Sequence, residues 1–139
     1  MRSIASATID ALRVPERLLD VGTWHGDWAP WNMTTARGIL YVWDWERSEG
    51  GAPVGLDVLH FSFEVGYHKR SLAPETALGS AVERCRGALE ALSVEQDLDA
   101  LVSLYVLERL MRLEEGRAAA VRTDERLRGW LIRTLRDAR

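Results

Sequence analysis

The stretch that decides the fold reads Thr23-Trp24-His25-Gly26-Asp27-Trp28-Ala29-Pro30-Trp31-Asn32, and it resumes after a turn as Val42-Trp43-Asp44-Trp45-Glu46. One loop therefore carries a histidine, an aspartate two residues later and an asparagine seven residues after the histidine. A second aspartate follows at the predicted end of the next strand. Pro30 fixes its own φ and biases Ala29 towards an extended backbone. This pattern indicates a chemical site rather than a packing motif.

Three of these side chains suit a phosphoryl transfer. That reaction needs a carboxylate to accept the proton of the attacking hydroxyl, and oxygen ligands for the magnesium ion that neutralises the phosphates. Asp27 can accept the proton, whereas Asn32 and Asp44 can supply the oxygen ligands. The alternative for Asp44 is that it merely caps the following loop.

The motifs also resemble those of a known family. The spacing His25-x-Asp27-x-x-x-x-Asn32 is that of the kinase catalytic loop H-R-D-x-x-x-x-N. Together with Trp43-Asp44-Trp45-Glu46 and Gly51-Ala-Pro53-x-x-Leu-Asp57, it resembles the aminoglycoside phosphotransferase and choline kinase-like family. Members of that family read roughly H-G-D-x-x-x-x-N, then I-D-W-E, then G-x-P-x-x-D-L. The resemblance implies an ATP-dependent enzyme with the carboxy-terminal lobe of the protein-kinase-like fold.

The resemblance assigns a role to each matching residue. Asp27 is the implied catalytic base, and His25 is the implied scaffold histidine that braces the loop. Asn32 and Asp44 are the implied magnesium ligands. Asp57 is the implied aspartate that hydrogen-bonds back to the loop backbone. From the residues alone, a carboxylate in the first turn of a helix could equally well complement the helix dipole.

Glu46 lies beside the metal in the family pattern, and two tryptophans depart from that pattern. Trp28 and Trp31 stand where many members carry aliphatic or small residues. They could pack in the core, form a missing partner surface, or hold a sugar ring or a cationic amine through cation–π contact. Trp24 and Trp43 are predicted to pack in the core.

Hydrophobic periodicity predicts a mostly helical α+β fold with one small β-hairpin. Val21 to Trp24 is expected to be extended, Asn32 to Thr35 and Ile39 to Asp44 to pair around Ala36-Arg37-Gly38, and Arg47 to Pro53 to form a polar loop. Helices are expected over Ser3 to Leu12, Leu56 to Lys69, Glu75 to Leu92, Val94 to Glu115 and Thr123 to Arg136, with a turn at Pro15 to Leu19.

Particular residues are expected to mark the helix ends. Ser93 with Gln96 forms a predicted capping box, Gly116 a predicted stop and Thr123 a predicted N-cap. His60 and His68 are interpreted as helix-surface or packed histidines. A zinc site built from His25, Asp27, Asp44 and His60 has no recognisable ligand spacing.

Composition narrows the class of protein. A chain of 139 residues is expected to be a single domain. The longest apolar run is too short for a membrane span, no secretory signal is visible, and the lone Cys85 suits a reducing cytoplasm and a core position.

Residues 1 to 100 hold nine basic and fifteen acidic side chains. Such an acidic region could favour a cationic substrate, although it is also typical of a solvated surface. Nothing resembles the basic stripe of a nucleic-acid binder.

The nucleotide-binding elements of a kinase are not visible in the sequence. Kinases of this class use a glycine-rich loop and a strand lysine that precede the catalytic loop. The twenty-two residues before Thr23 contain no glycine before Gly22, and Lys69 is the only lysine of the chain. The sequence therefore looks like the carboxy-terminal lobe alone.

These observations lead to one main expectation and two alternatives. The main expectation is a kinase that uses Mg²⁺ and ATP to phosphorylate a hydroxyl of a small substrate, with Asp27 as base. The first alternative is a non-catalytic remnant or interaction module, which would pair with a missing lobe or form a homodimer. The second is a metal-dependent hydrolase that uses the same carboxylates.

Overall fold

The computed structural model describes residues 18–137, which divide into two compact units, residues 18–101 and residues 102–137. The helix predicted over Ser3 to Leu12 lies outside the described residues, as does the start of the turn predicted at Pro15 to Leu19. The described part is mostly helical with two small antiparallel sheets. The predicted α+β class is therefore confirmed.

Both sheets belong to the first unit. Strand β1 (Val21–Trp24) pairs with β4 (Glu49–Pro53), and β2 (Met33–Ala36) pairs with β3 (Ile39–Val42). The second pair is the predicted hairpin. Its turn consists of Arg37 and Gly38, whose φ angles are 53° and 76°. Two successive positive φ values are typical of the tight turns whose twist matches that of the flanking strands.

The prediction of a loop over Arg47 to Pro53 is wrong, because most of this segment forms β4. The strand sequence Glu49-Gly-Gly-Ala-Pro53 has little intrinsic preference for a strand. Pairing with β1 imposes the extended conformation, with Gly22 opposite Ala52 and Val21 opposite Pro53. The tertiary partner therefore overrides the local preference.

The placement of Asp44 as the last residue of a strand is also wrong. β3 ends at Val42, and Asp44 has a left-handed backbone, φ 64° and ψ 54°, from which the short 3-10 helix Trp45–Arg47 begins. Aspartate tolerates this conformation better than most residues. The alternation of β3 therefore does not set the direction of the Asp44 side chain.

The helices of the first unit pack around an apolar core. Helix α1 (Leu56–Glu64) continues as a wider π-helical segment (Val65–Lys69), so the predicted helix ends where expected but changes its geometry. It packs against α2 (Pro74–Ala91), which confirms the helix predicted over Glu75 to Leu92. Buried apolar residues of these helices are Leu56, Leu59, Phe63, Ala77, Ala81, Cys85 and Leu89. Burial raises the pKa of the Cys85 thiol, as expected of a core cysteine.

The predicted capping box at Ser93 is wrong. Ser93 has a φ of 59°, and its N–H donates to the carbonyl of Glu90, so it terminates α2. The Gln96 side chain donates to the Ser93 carbonyl instead of completing a capping box. A 3-10 turn, Glu95–Asp97, follows and leads into the next helix. Ser93 therefore occupies the left-handed position that glycine usually takes after a helix.

Helix α3 (Leu98–Ala118) also runs past its predicted stop, Gly116. The left-handed residue is Ala120, with a φ of 57°, and the Val121 N–H donates to the carbonyl of Gly116 over 2.8 Å. This bond and the left-handed residue before it are typical of a helix end whose last carbonyls are satisfied by a reversed turn. Gly116 therefore lies within the last turn of α3.

The second unit ends with the amphipathic helix α4 (Glu125–Asp137). Its predicted apolar stripe is confirmed, because all four residues are buried: Leu127, Trp130, Leu131 and Leu135. Thr123 is not the N-cap. The carboxylate of Asp124 accepts the Leu127 N–H over 2.9 Å, so Asp124 caps the helix. None of the helices in residues 18–137 has the length and apolar character needed to cross a bilayer.

Candidate active site

Asp57 ties the loop that carries the candidate base to the start of α1. Its Oδ2 accepts the N–H of His25 over 2.7 Å, and its Oδ1 accepts the N–H of Gly26 over 3.2 Å. Hydrogen bonds to an ionised acceptor are stronger than those between neutral groups. The bonds to the loop backbone have the form expected of Asp57 from the sequence, whereas the catalytic role of the loop stays a prediction.

Gly26 allows the loop to pass close to the segment that follows Asp44. Its φ is 82°, and a Cβ there would lie 2.9 Å from the carbonyl carbon of Arg47 and overlap the carbonyl oxygen. Any side chain at Gly26 would therefore meet backbone atoms, which cannot rotate away as a flexible side chain can. The close approach to Arg47 thus explains why this fold has glycine at position 26.

His25 joins the same two segments through its ring. The Asp27 N–H donates to Nδ1 over 3.1 Å, which leaves the ring proton on Nε2 to donate to the Trp43 carbonyl over 2.9 Å. The ring is buried. Since both nitrogens are engaged, His25 acts as a brace of the loop rather than as a metal ligand.

Asn32 holds Asp27 from the other end of the loop. Its Nδ2 donates to the Asp27 carbonyl over 3.0 Å and to Asp27 Oδ2 over 2.8 Å. Asn32 is buried, whereas the Asp27 side chain stays 28% exposed. The carboxylate of Asp27 is thus oriented by the protein and still accessible to a substrate. With Nδ2 used in this way, Oδ1 is the atom of the Asn32 amide that can bind a cation.

Asp44 lies close to Asn32 along the backbone. The N–H of Trp43, the residue before Asp44, donates to the Asn32 carbonyl over 3.1 Å. Asp44 is exposed, as is Glu46 in the following 3-10 helix. A carboxylate and an amide oxygen are ligands that magnesium prefers. Asn32 and Asp44 are therefore of the ligand types that suit magnesium, and their joint binding of the ion stays a prediction.

The four residues of the zinc site considered from the sequence do not form a metal-binding group. Within residues 18–137, no group of three or more His, Cys, Asp or Glu side chains is arranged to hold a metal ion. For the set considered from the sequence, the physical reason lies in His25, whose ring nitrogens bind Asp27 and Trp43.

The tryptophans around the loop differ in burial. Trp24 is buried, as predicted, but Trp43 is 45% exposed, so its predicted place in the core is wrong. Trp28 lies edge-on to the His25 ring with centroids 5.6 Å apart, and the exposed Trp45 lies against the same ring at 4.5 Å. Trp31 is exposed, directly precedes Asn32 in the sequence, and lies edge-on to the His68 ring with centroids 5.6 Å apart. It therefore remains a candidate substrate contact.

His60 contacts the candidate base, a role that the sequence did not predict, although His60 belonged to the zinc set considered there. It was expected to be an ordinary helix histidine, and it is indeed packed, but its Nε2 lies 3.2 Å from Asp27 Oδ1. His60 follows Asp57 by three residues on α1, so both side chains share one helix face. Since Asp57 was already expected to face the loop, this spacing is the signal that could have pointed to His60.

We expect Asp57→Asn to lower the free energy of unfolding by about 2 kcal/mol, because one charge-assisted bond to the loop is replaced by an amide NH₂ that faces a backbone N–H. Glu75→Gln is the matched control, since Glu75 is an exposed acidic residue in the first turn of α2. It tests the helix-dipole contribution alone, which is about 0.3–1 kcal/mol. Urea unfolding monitored by circular dichroism measures both, and equal losses would contradict the bracing role.

No protein-family model, no curated protein and no solved structure matches this chain. The functional interpretation therefore rests on the geometry around Asp27. That geometry consists of a loop held by Asp57, His25 and Asn32, with an oriented, accessible carboxylate at its centre.

Proposed function

We propose that this chain carries the catalytic centre of an ATP-dependent phosphotransferase of the aminoglycoside phosphotransferase and choline kinase-like type. It transfers the γ-phosphate of ATP to a hydroxyl of a small substrate, such as an aminosugar or a choline-like amine. The observation that carries the proposal is the Asp27 carboxylate, which Asn32 orients through Oδ2 while the side chain stays 28% exposed.

Asp27 acts as the general base in this proposal. A base must lie within hydrogen-bond reach of the hydroxyl that it deprotonates. The loop meets this need in advance, because Asp57 holds the backbone at His25 and Gly26, and the His25 ring holds the Asp27 N–H. A base held in place before the substrate arrives avoids the entropic cost of ordering it during the reaction.

In this proposal Asn32 and Asp44 would hold the magnesium ion. The amide of Asn32 contributes Oδ1, since its nitrogen is bonded to Asp27, and Asp44 contributes an exposed carboxylate. When bound, the ion neutralises negative charge on the phosphates. Glu46 follows Asp44 by two residues and is also exposed.

The exposed Trp31 is the candidate contact for the substrate. Its ring is 43% exposed and lies next to Asn32 in the chain. An aromatic face binds a sugar ring or a cationic amine through dispersion and cation–π contact, which is worth about 0.5–2 kcal/mol. Trp28 is half-buried against His25, so its first role is to support the loop.

A second candidate function is a non-catalytic interaction module. It is favoured by the apolar residues of β3 and the segment after it, each about half exposed: Ile39, Leu40, Tyr41, Trp43 and Trp45. Exposed large apolar residues concentrated in one segment of a chain can mark an interaction surface. This function makes no use of the oriented Asp27 carboxylate, which is why the phosphotransferase is the first choice.

Titration calorimetry with Mg²⁺ and a non-hydrolysable ATP analogue tests the proposed site. We expect binding by the wild-type chain, loss of binding when EDTA removes the metal, and at least about tenfold weaker binding by Asp44→Ala, because a carboxylate ligand of the ion is removed. Glu49→Ala is the matched control, since it removes an exposed acidic side chain five residues away. It should leave the affinity within about twofold, as surface charges away from a site contribute little. Absence of binding at millimolar nucleotide would contradict the proposal.

A further inference from the structure

A line of polar side chains leads from the candidate base to the protein surface. His60 Nε2 lies 3.2 Å from Asp27 Oδ1, and His60 Nδ1 lies 3.8 Å from Oε1 of Glu64, one turn later on α1. The other oxygen of Glu64 lies 3.2 Å from Nε2 of His68. His60 and Glu64 are buried, whereas the His68 side chain is 47% exposed.

The chemistry of the first contact fixes the position of one proton. An ionised carboxylate can only accept hydrogen bonds, so the contact with Asp27 requires the proton on Nε2 of His60. The two oxygens of Asp27 then have separate donors, His60 at Oδ1 and Asn32 at Oδ2. Rotation of the carboxyl group about its last bond would weaken both contacts. For an aspartate without such donors, this torsion is broadly distributed.

Glu64 extends the same line of polar groups along α1. A buried carboxylate is costly unless polar groups surround it. Glu64 lies between two histidines, one four residues before it and one four residues after it. Side chains four residues apart are neighbours on one helix face. Glu64 therefore borders the edge of the His60 ring that points away from Asp27.

We propose that His60 is a positioning residue for Asp27, because its buried ring places Nε2 3.2 Å from Oδ1 of that carboxylate. This inference rests on the proposed phosphotransferase function, because it is Asp27 as a base that needs the orientation. His60 touches neither substrate nor nucleotide in this assignment. It directs a lone pair of Asp27 towards the hydroxyl by occupying Oδ1 from the buried side.

The decisive variants at position 60 are His60→Gln and His60→Met. Glutamine has an amide donor that can reach the place of Nε2, whereas methionine fills a similar volume without a donor. The measurement is steady-state phosphate release from Mg-ATP with water as the acceptor, which yields kcat and the KM for Mg-ATP. Thermal unfolding by circular dichroism records the stability of each variant.

We expect His60→Met to lower kcat by about 10–100-fold, with the KM for Mg-ATP within about twofold of the wild-type value, because a misplaced base slows the chemical step without touching the nucleotide. His60→Gln should recover kcat to within about fivefold of wild type, since it restores the donor. A role in packing alone predicts the opposite order, with methionine tolerated better than glutamine. Equal kcat values for wild type and His60→Met would overturn the inference.

Two outcomes separate this inference from the proposed function. If the wild-type chain neither binds nor hydrolyses Mg-ATP, the proposed function fails and the inference fails with it. If the wild type is active and His60→Met is equally active, only the inference fails. Long-range ¹H–¹⁵N NMR of the wild-type imidazoles gives a readout that needs no variant at position 60. We expect a proton on Nε2 of His60 and a change of its resonance in Asp27→Asn, whereas an unprotonated Nε2 would overturn the inference.

Discussion

Gly26→Ala is expected to destabilise the first unit by about 3 kcal/mol or more, since it combines backbone strain with a steric overlap. Gly26 has a φ of 82°, which costs any other residue about 1–2 kcal/mol. The new Cβ would also meet the carbonyl group of Arg47, whose carbon lies 2.9 Å away. Relief of the overlap requires the loop to move away from the segment after Asp44. Urea unfolding monitored by tryptophan fluorescence measures the effect.

Gly38→Ala is the matched control for this prediction. Gly38 has a similar φ, 76°, but a Cβ there would meet nothing within 4 Å. Its substitution should therefore cost only the strain of the left-handed backbone, about 1–2 kcal/mol. The difference between the two variants isolates the overlap with Arg47. Equal losses would show that the loop and the Arg47 segment do not pass as closely as the structure has them.

The parts of the site that the sequence predicted are those whose chemistry and spacing are local. His25, Asp27 and Asn32 lie within eight consecutive residues, and the structure joins them by hydrogen bonds within that loop. Asp57 was placed correctly in the first turn of a helix, because the apolar period from Leu56 onwards is clear. Local pattern and local structure agree at these positions.

The parts that were missed depend on distant partners. Strand β4 owes its conformation to β1, more than twenty residues earlier, and its own glycines carry no strand signal. The contact of His60 with Asp27 joins positions 33 residues apart. Such a pair can be inferred only after the direction of α1 is known. Long-range pairing leaves no local pattern in a sequence, and the bond from Asp57 to the loop, over 32 residues, was expected only from the family resemblance.

The errors at chain reversals have a different cause. Asp44, Ser93 and Ala120 all adopt positive φ angles. This conformation can be predicted from a sequence mainly where the residue is glycine or asparagine. Each residue is held there by the hydrogen bonds or elements on either side. At Asp44 the consequence is functional, because the reversal takes the candidate metal ligand out of the regular alternation of β3.

Asp27→Asn is expected to lower the rate of phosphoryl transfer by about 10²–10⁴-fold, the usual contribution of a positioned general base. The substitution keeps the shape of the side chain and removes its ability to take a proton, while the new NH₂ replaces the acceptor of one of its two donors, His60 and Asn32. The backbone bonds that Asp27 makes with His25 and Asn32 do not involve the carboxyl group and should persist. Phosphate release from Mg-ATP provides the rate, and Asp20→Asn, at an exposed residue before β1, is the charge-matched control.

The pattern across variants distinguishes the base from a metal ligand. Asp27→Asn should affect kcat and leave the affinity for the Mg²⁺-nucleotide complex within about threefold, whereas Asp44→Ala should weaken that affinity directly. A base acts only on the transferred proton, so its loss appears in the chemical step. If Asp27→Asn abolished nucleotide binding as well, Asp27 would belong to the metal site, and if it left the rate unchanged, the base would have to be another group. Either result would also remove the reason for His60 to orient this carboxylate.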